Sequence, residues 1–149
     1  MNRKEAMMIV ETTEEVKALY ELNDGVFINC IEKSVVRPCD TEWVTCIDDA
    51  WVVEFKLGKA CGIEHDGRLK ITMVVNARTG EIISRFPEAE YFKNKDYCLE
   101  SYDCISIPNN EEGLDSKCVN FVYGQIEANG NLISEACRCS ENICQKDLN

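Results

Sequence analysis

Ten cysteines in 149 residues constrain this chain more than any other feature. They are Cys30, Cys39, Cys46, Cys61, Cys98, Cys104, Cys118, Cys137, Cys139 and Cys144. The number is even, and no two are separated by exactly two residues. Zinc ribbons, rubredoxin-like sites, most iron–sulfur sites and thioredoxin-like redox sites use the C-x-x-C spacing, because it aims two thiolates at one centre. Its absence leaves a disulfide framework as the favoured reading, with all ten cysteines as half-cystines and no metal.

Disulfides persist in oxidising compartments, so the expected location is extracellular or at a cell surface. The alternative is the cytosol of a hyperthermophile, where disulfides also survive. Met1 to Val10 (MNRKEAMMIV) has a charged start but no apolar run that would serve as the core of a leader. The expectation is therefore a mature chain whose signal peptide has been removed and whose Met1 is not native. No stretch approaches the length of a membrane span, and no N-x-[ST] acceptor occurs. With Lys+Arg at 16 and Asp+Glu at 27, the net charge is −11, which repels phosphate backbones and argues against nucleic acid. Hydrophobic residues at 45% are enough for a buried core.

The cysteines fall into two groups, four from Cys30 to Cys61 and six from Cys98 to Cys144. Each group can close internally, as two bridges and then three. This divides the chain into residues 1–87 and 98–149, with a polar boundary near Glu88–Asp96.

In the first part, Thr12 and Glu15 fit a capping box. Val16, Leu19 and Tyr20 then form one helical stripe, and Asn23-Asp24-Gly25 stops the helix. Strands are expected at Val26–Ile31, Trp43–Ile47, Ala50–Leu57, Leu69–Asn76 and Glu81–Phe86. In Ala50–Leu57, Trp51, Val53 and Phe55 share one face. His65-Asp66-Gly67-Arg68 reads as a hairpin turn, and Ala77–Gly80 as another. The second part reads as a loop at Ile107–Gly113. Strands at Cys118–Ile126 and Leu132–Cys139 are expected to join at Asn129-Gly130. The expected fold class is α+β: one N-terminal helix packed on an antiparallel β-meander, then a small disulfide-rich β-hairpin module.

Residues 12–86 resemble the PepSY family. The likeness is carried by Trp51-Val52-Val53-Glu54-Phe55, by Ile71 to Val75, and by Asn76-Ala77-Arg78-Thr79-Gly80-Glu81-Ile82-Ile83. It implies a small exported α+β domain of the kind found in protease propeptides, for which a protease-restraining role has been proposed. Four cysteines in and around this unit, and an insertion from Glu32 to Thr41, depart from the family's pattern. Residues 98–144 are similar to small cysteine-cluster modules of exported prokaryotic proteins, through Cys98-x5-Cys104, Cys118-Val119-Asn120, Cys137-x-Cys139 and Cys144. Those modules often carry eight cysteines where this chain has six.

Chemistry-bearing candidates are few. Cys137-Arg138-Cys139 with Cys144 can be drawn as a soft-metal or redox cluster, against a reading as structural half-cystines. His65, four residues after Cys61, suggests a Cys–His pair, but its acidic neighbours favour imidazolium and a solvated turn. Asp48-Asp49, Glu88-Glu90 and Glu111-Glu112 are acidic pairs without EF-hand spacing, and the Asn109–Asp115 loop is a weak Ca²⁺ candidate. Trp43 and Trp51 read as sheet core. No catalytic residue and no cofactor is expected. The expected role is a non-enzymatic binding or structural module with a protein partner or self-association, as a filament subunit or a protease-restraining domain. The alternative is a thiol-based redox or metal-binding protein using Cys137–Cys144.

Overall fold

The computed structural model describes residues 1–37, 49–109, 115–129 and 136–147. Cys39, Cys46, Trp43, Asp48, the Trp43–Ile47 strand and Glu111-Glu112 lie outside the described residues. The fold class is α+β. The chain divides into two compact units, residues 1–61 with 70–89, and residues 62–69 with 90–149.

The first unit opens with two short helices where one was expected. Helix α1 (Arg3–Glu11) is started by a capping box in which the Asn2 side chain accepts from Glu5 N and Glu5 accepts from Asn2 N. Ala6 and Val10, four residues apart, are its buried face. Helix α2 (Glu14–Glu21) is capped by Thr13, not Thr12, because Thr12 closes α1. Thr13 Oγ1 accepts from Val16 N at 3.4 Å. Asn23, Asp24 and Gly25 all have positive φ and end the helical run.

Strands β1 (Ile31–Val36), β2 (Ala50–Leu57), β3 (Lys70–Asn76) and β4 (Ile82–Phe86) form an antiparallel sheet in that order. The strand expected at Val26–Ile31 starts only at Ile31. After the left-handed turn, Val26 to Cys30 is tied by i→i+3 bonds, with Ile28 N donating to Gly25 O and Cys30 N to Phe27 O. Sheet pairing begins where Ile31 meets Leu57. Residues 32–36, read as insertion, are therefore strand.

Trp51, Val53, Phe55 and Leu57 of β2, with Ile71, Met73 and Val75 of β3, are buried beside Ala6, Val10, Val16 and Leu19. Tyr20 of α2 meets Phe55 edge-on at 6.2 Å. The β3–β4 turn is held by Asn76 Oδ1, which accepts from Arg78 N and Thr79 N, and by Gly80 at φ 75°. Between β2 and β3 the chain makes a long loop containing a single helical turn (Lys59–Cys61), not a tight hairpin. Cys30 and Cys61 are disulfide-bonded.

In the second unit, α3 (Glu90–Lys93) occupies the stretch read as a polar boundary, because Tyr91 and Phe92 are buried there. Strands β5 (Cys104–Asn109) and β6 (Asp115–Asn120) pair, so Ile107 and Pro108 lie in a strand where a loop was expected. Proline is tolerated in a two-stranded ribbon, which is all edge. The strand expected at Cys118–Ile126 ends at Asn120 and becomes helix α4 (Phe121–Ala128). Asn120 caps it, its side chain accepting from Val122 N and Tyr123 N. Asn129 closes α4 in the left-handed conformation, so this residue ends a helix and not a hairpin strand. Strands β7 (Cys137–Ser140) and β8 (Ile143–Lys146) form the final hairpin, turning at Glu141 and Asn142, both at positive φ.

Candidate binding groove and cysteine cluster

Two places concentrate chemistry, one in each unit. The first is a groove of about 500 Å³ between α1 and β1, lined by Arg3, Lys4, Met7, Met8, Glu11 and Val35. Helical spacing makes it: Lys4, Met7, Met8 and Glu11 fall along one side of α1, next to the buried Ala6 and Val10. Met8 is 58% exposed. Lys33 of β1 donates to Glu11 Oε1 at 2.7 Å, and the Tyr20 hydroxyl donates to the same oxygen at 2.8 Å. The Lys33 and Tyr20 hydrogen bonds hold the Glu11 carboxyl below its usual value, and the Glu11 hydrogen bond raises Lys33. Trp51 is buried, as read from the sequence, and its ring also carries cations: the Arg37 guanidinium lies 4.4 Å and that of Arg3 5.7 Å from its centre.

Met1 to Val10 shows in the sequence a charged start without a leader's apolar core, and no helix was expected there, so these groove residues were not among the candidates. The Asn2–Glu5 capping pair and the Ala6–Val10 spacing were the available signals.

The two sheet edges carry a common device. Lys33 sits opposite Phe55 in β1, and Arg85 opposite Met73 in β4, so each edge strand turns one cation towards the helix side. Each is paired with a helix glutamate, Lys33 with Glu11 and Arg85 with the buried Glu15 at 3.1 Å. Strand β4 also bulges at Ile83. Inward charges and bulges are the features that discourage edge-to-edge strand addition.

The second place is a cluster of buried cysteines within the second unit. Cys98, Cys104, Cys118 and Cys144 are buried together, with Cys137 and Cys139 packed against them. The bridges are Cys98–Cys139, Cys104–Cys144 and Cys118–Cys137. Among the described residues no cysteine is free. Cys137 and Cys139 are thus joined to different partners. Cys61 is likewise bonded, to Cys30, and so is not a free nucleophile for a Cys–His pair. His65 Nδ1 accepts from Gly67 N at 3.1 Å within its own loop. Asp49 pairs with Arg78 at 3.0 Å on the surface.

Around the sulfur core, two buried polar side chains organise the backbone. Asp103 accepts from the Tyr91 hydroxyl at 2.5 Å, from Leu99 N at 3.1 Å and from Glu100 N at 3.0 Å. Burial, and then the Asp103 carboxylate, push the Tyr91 hydroxyl far above the usual tyrosine range. Asn120 donates to Tyr91 O and Asn94 O while capping α4. Arg68 donates to Asp66 and to Tyr102 O, and its guanidinium stacks 4.7 Å from the Phe121 ring centre.

The chain matches no family model, no curated protein and no solved structure. Among the described residues no helix is long and apolar enough to cross a membrane.

Proposed function

We propose that this chain is an exported, non-catalytic binding module, and that its protein-binding surface is the groove between α1 and β1. The carrying observation is the composition of that groove: two methionines and Val35 beside Arg3, Lys4 and a Glu11 already paired with Lys33, on a chain of net charge −11. Methionine adapts to irregular apolar partners, and the cations favour carboxylates. The occupant this selects is a protein segment with an apolar side chain flanked by acidic residues. A second copy of so acidic a chain can supply one, which makes self-assembly our preferred form of the reading. A groove on one face binding a different surface of the next copy is heterologous, and such contacts propagate into filaments when they do not close.

Strand addition at the open sheet edges is the less favoured route, given the inward Lys33 and Arg85. A PepSY-like, protease-restraining role stays within this proposal as a choice of partner. The bridges support an extracellular location, since such bonds are kept in oxidising compartments. The thiol or metal reading ranks second, because all eight described cysteines are already paired.

The test is sedimentation velocity over a range of concentrations, at low and high salt, on the native chain and on Met8→Asp. The expected result is reversible association that weakens with salt and disappears in Met8→Asp. A strictly monomeric native chain sinks self-assembly. Association indifferent to Met8→Asp removes the groove from the proposal.

A further inference from the structure

We infer that Cys139 is a site of S-thiolation by a low-molecular-weight thiol, and that the Cys98 thiolate released there is captured by the neighbouring Cys104–Cys144 bridge. The sulfurs of Cys98, Cys104 and Cys144 all lie within 4.8 Å of one another. Two of the three bridges of the second unit therefore share one sulfur cluster.

The ends of these bridges differ in access. Cys98 is 0%, Cys104 8% and Cys144 6% exposed, whereas Cys139 on β7 is only half-buried. An attacking thiolate must reach a sulfur from the side opposite its bonded partner. By exposure, Cys139 is the end of the Cys98–Cys139 and Cys104–Cys144 bridges that a small thiol in solvent reaches first. Cys137 is also half-buried, but opening Cys118–Cys137 releases Cys118, which is not one of the three clustered sulfurs.

The steps balance without any net oxidant. The external thiolate attacks Cys139 Sγ, a bond forms between them, the Cys98–Cys139 bond breaks, and Cys98 leaves as thiolate. Cys98 Sγ then attacks Cys104 or Cys144. A Cys98 bridge forms, the Cys104–Cys144 bond breaks, and the other cysteine leaves as thiolate. That cysteine takes up the proton the external thiol gave up. Each step replaces one S–S bond by another, and the sum is one added thiol, one new bridge and one freed cysteine. Because Cys98 lies within 4.8 Å of both sulfurs of that bridge, the second step is intramolecular and competes directly with the return attack of Cys98 on Cys139, which is intramolecular too.

The experiment incubates the oxidised full chain with glutathione at neutral pH, quenches with acid and alkylates freed thiols. The chain is then digested without reduction and the cross-linked peptides are mapped by mass spectrometry. Expected are loss of the Cys98–Cys139 peptide, glutathione on Cys139, alkylation of Cys104 or Cys144, and a new Cys98 cross-link. In the Cys104→Ser, Cys144→Ser double variant the adduct stays on Cys139 and alkylation moves to Cys98. If that variant does not fold, the map of the native chain decides alone. Alkylation of Cys98 in the native chain overturns the capture. A first adduct on Cys137, Cys30 or Cys61, or none until denaturant is added, overturns the site.

Discussion

Glu11 and Lys33 join α1 to β1 through one hydrogen-bonded pair, and its pH dependence can be read from the direction of each shift. Glu11 is depressed, so its contribution to stability is present above the ordinary carboxylate value of 4.5 and is lost as pH falls through the folded value. Lys33 is raised, so its contribution is present below the ordinary lysine value of 10.5 and is lost as pH rises through the folded value. The pair is partly solvated, so it is worth roughly 0.2–1 kcal/mol. Glu11→Gln is expected to lower the melting temperature at neutral pH and to flatten the acid limb of a melting-temperature profile. Equal acid limbs for both chains would remove Glu11 from the account. In the second unit, Asp103→Ala leaves the Tyr91 hydroxyl and two backbone donors without their acceptor, a loss of about 1–3 kcal/mol for an unsatisfied buried group. Chemical denaturation of Asp103→Ala against the native chain measures it. The sequence announces neither residue's partner. Glu11 is 22 residues from Lys33 and Asp103 is 12 from Tyr91, and no local pattern announces a partner at that distance.

Among the elements, β2 was legible because Ala50–Leu57 alternates cleanly and its alternate side chains are buried. Helix α4 was not, because Val119, Phe121 and Tyr123 also alternate, and that pattern suits a strand. What decides is packing: Phe121, Val122, Gln125 and Ala128 are all buried, a spacing only a helix can serve, and Asn120 caps its start. Gly124 lets α4 approach β5 closely. A Cβ built there would lie 2.3 Å from Ile105 Cδ1 and 2.4 Å from its Cγ1. Isoleucine is stiff at this branch, so Gly124→Ala should destabilise the second unit by about 1–3 kcal/mol through overpacking. Gly124→Ala with Ile105→Val should recover part of it. An unchanged midpoint in denaturant for Gly124→Ala would contradict the close approach. The N-terminal helices show the converse. The stripe from Val16 was visible, but α1 hid behind a charged start that invites comparison with a leader.

For the whole molecule, the grouping of cysteines was legible and their pairing was not, since six cysteines admit many pairings and spacing alone does not choose. The bridges of the second unit span 41, 40 and 19 residues, and in the chain-entropy account each contributes about 3–4 kcal/mol. The first unit rests on helix–sheet burial with one described bridge. Reduction should therefore unfold the second unit at denaturant concentrations that leave the first intact, as backbone amide spectra of the reduced chain would report. A single joint transition would refute this. The connectivity also carries a sequence in time. Cys98, Cys104 and Cys118 each wait for a partner on the β7–β8 hairpin, at Cys139, Cys144 and Cys137. As the chain emerges from a ribosome or a translocation pore, three thiols are on the far side before any correct mate arrives. In that interval they are open to mispairing with one another, and a chain interrupted before Cys137 has no native way to close its second half.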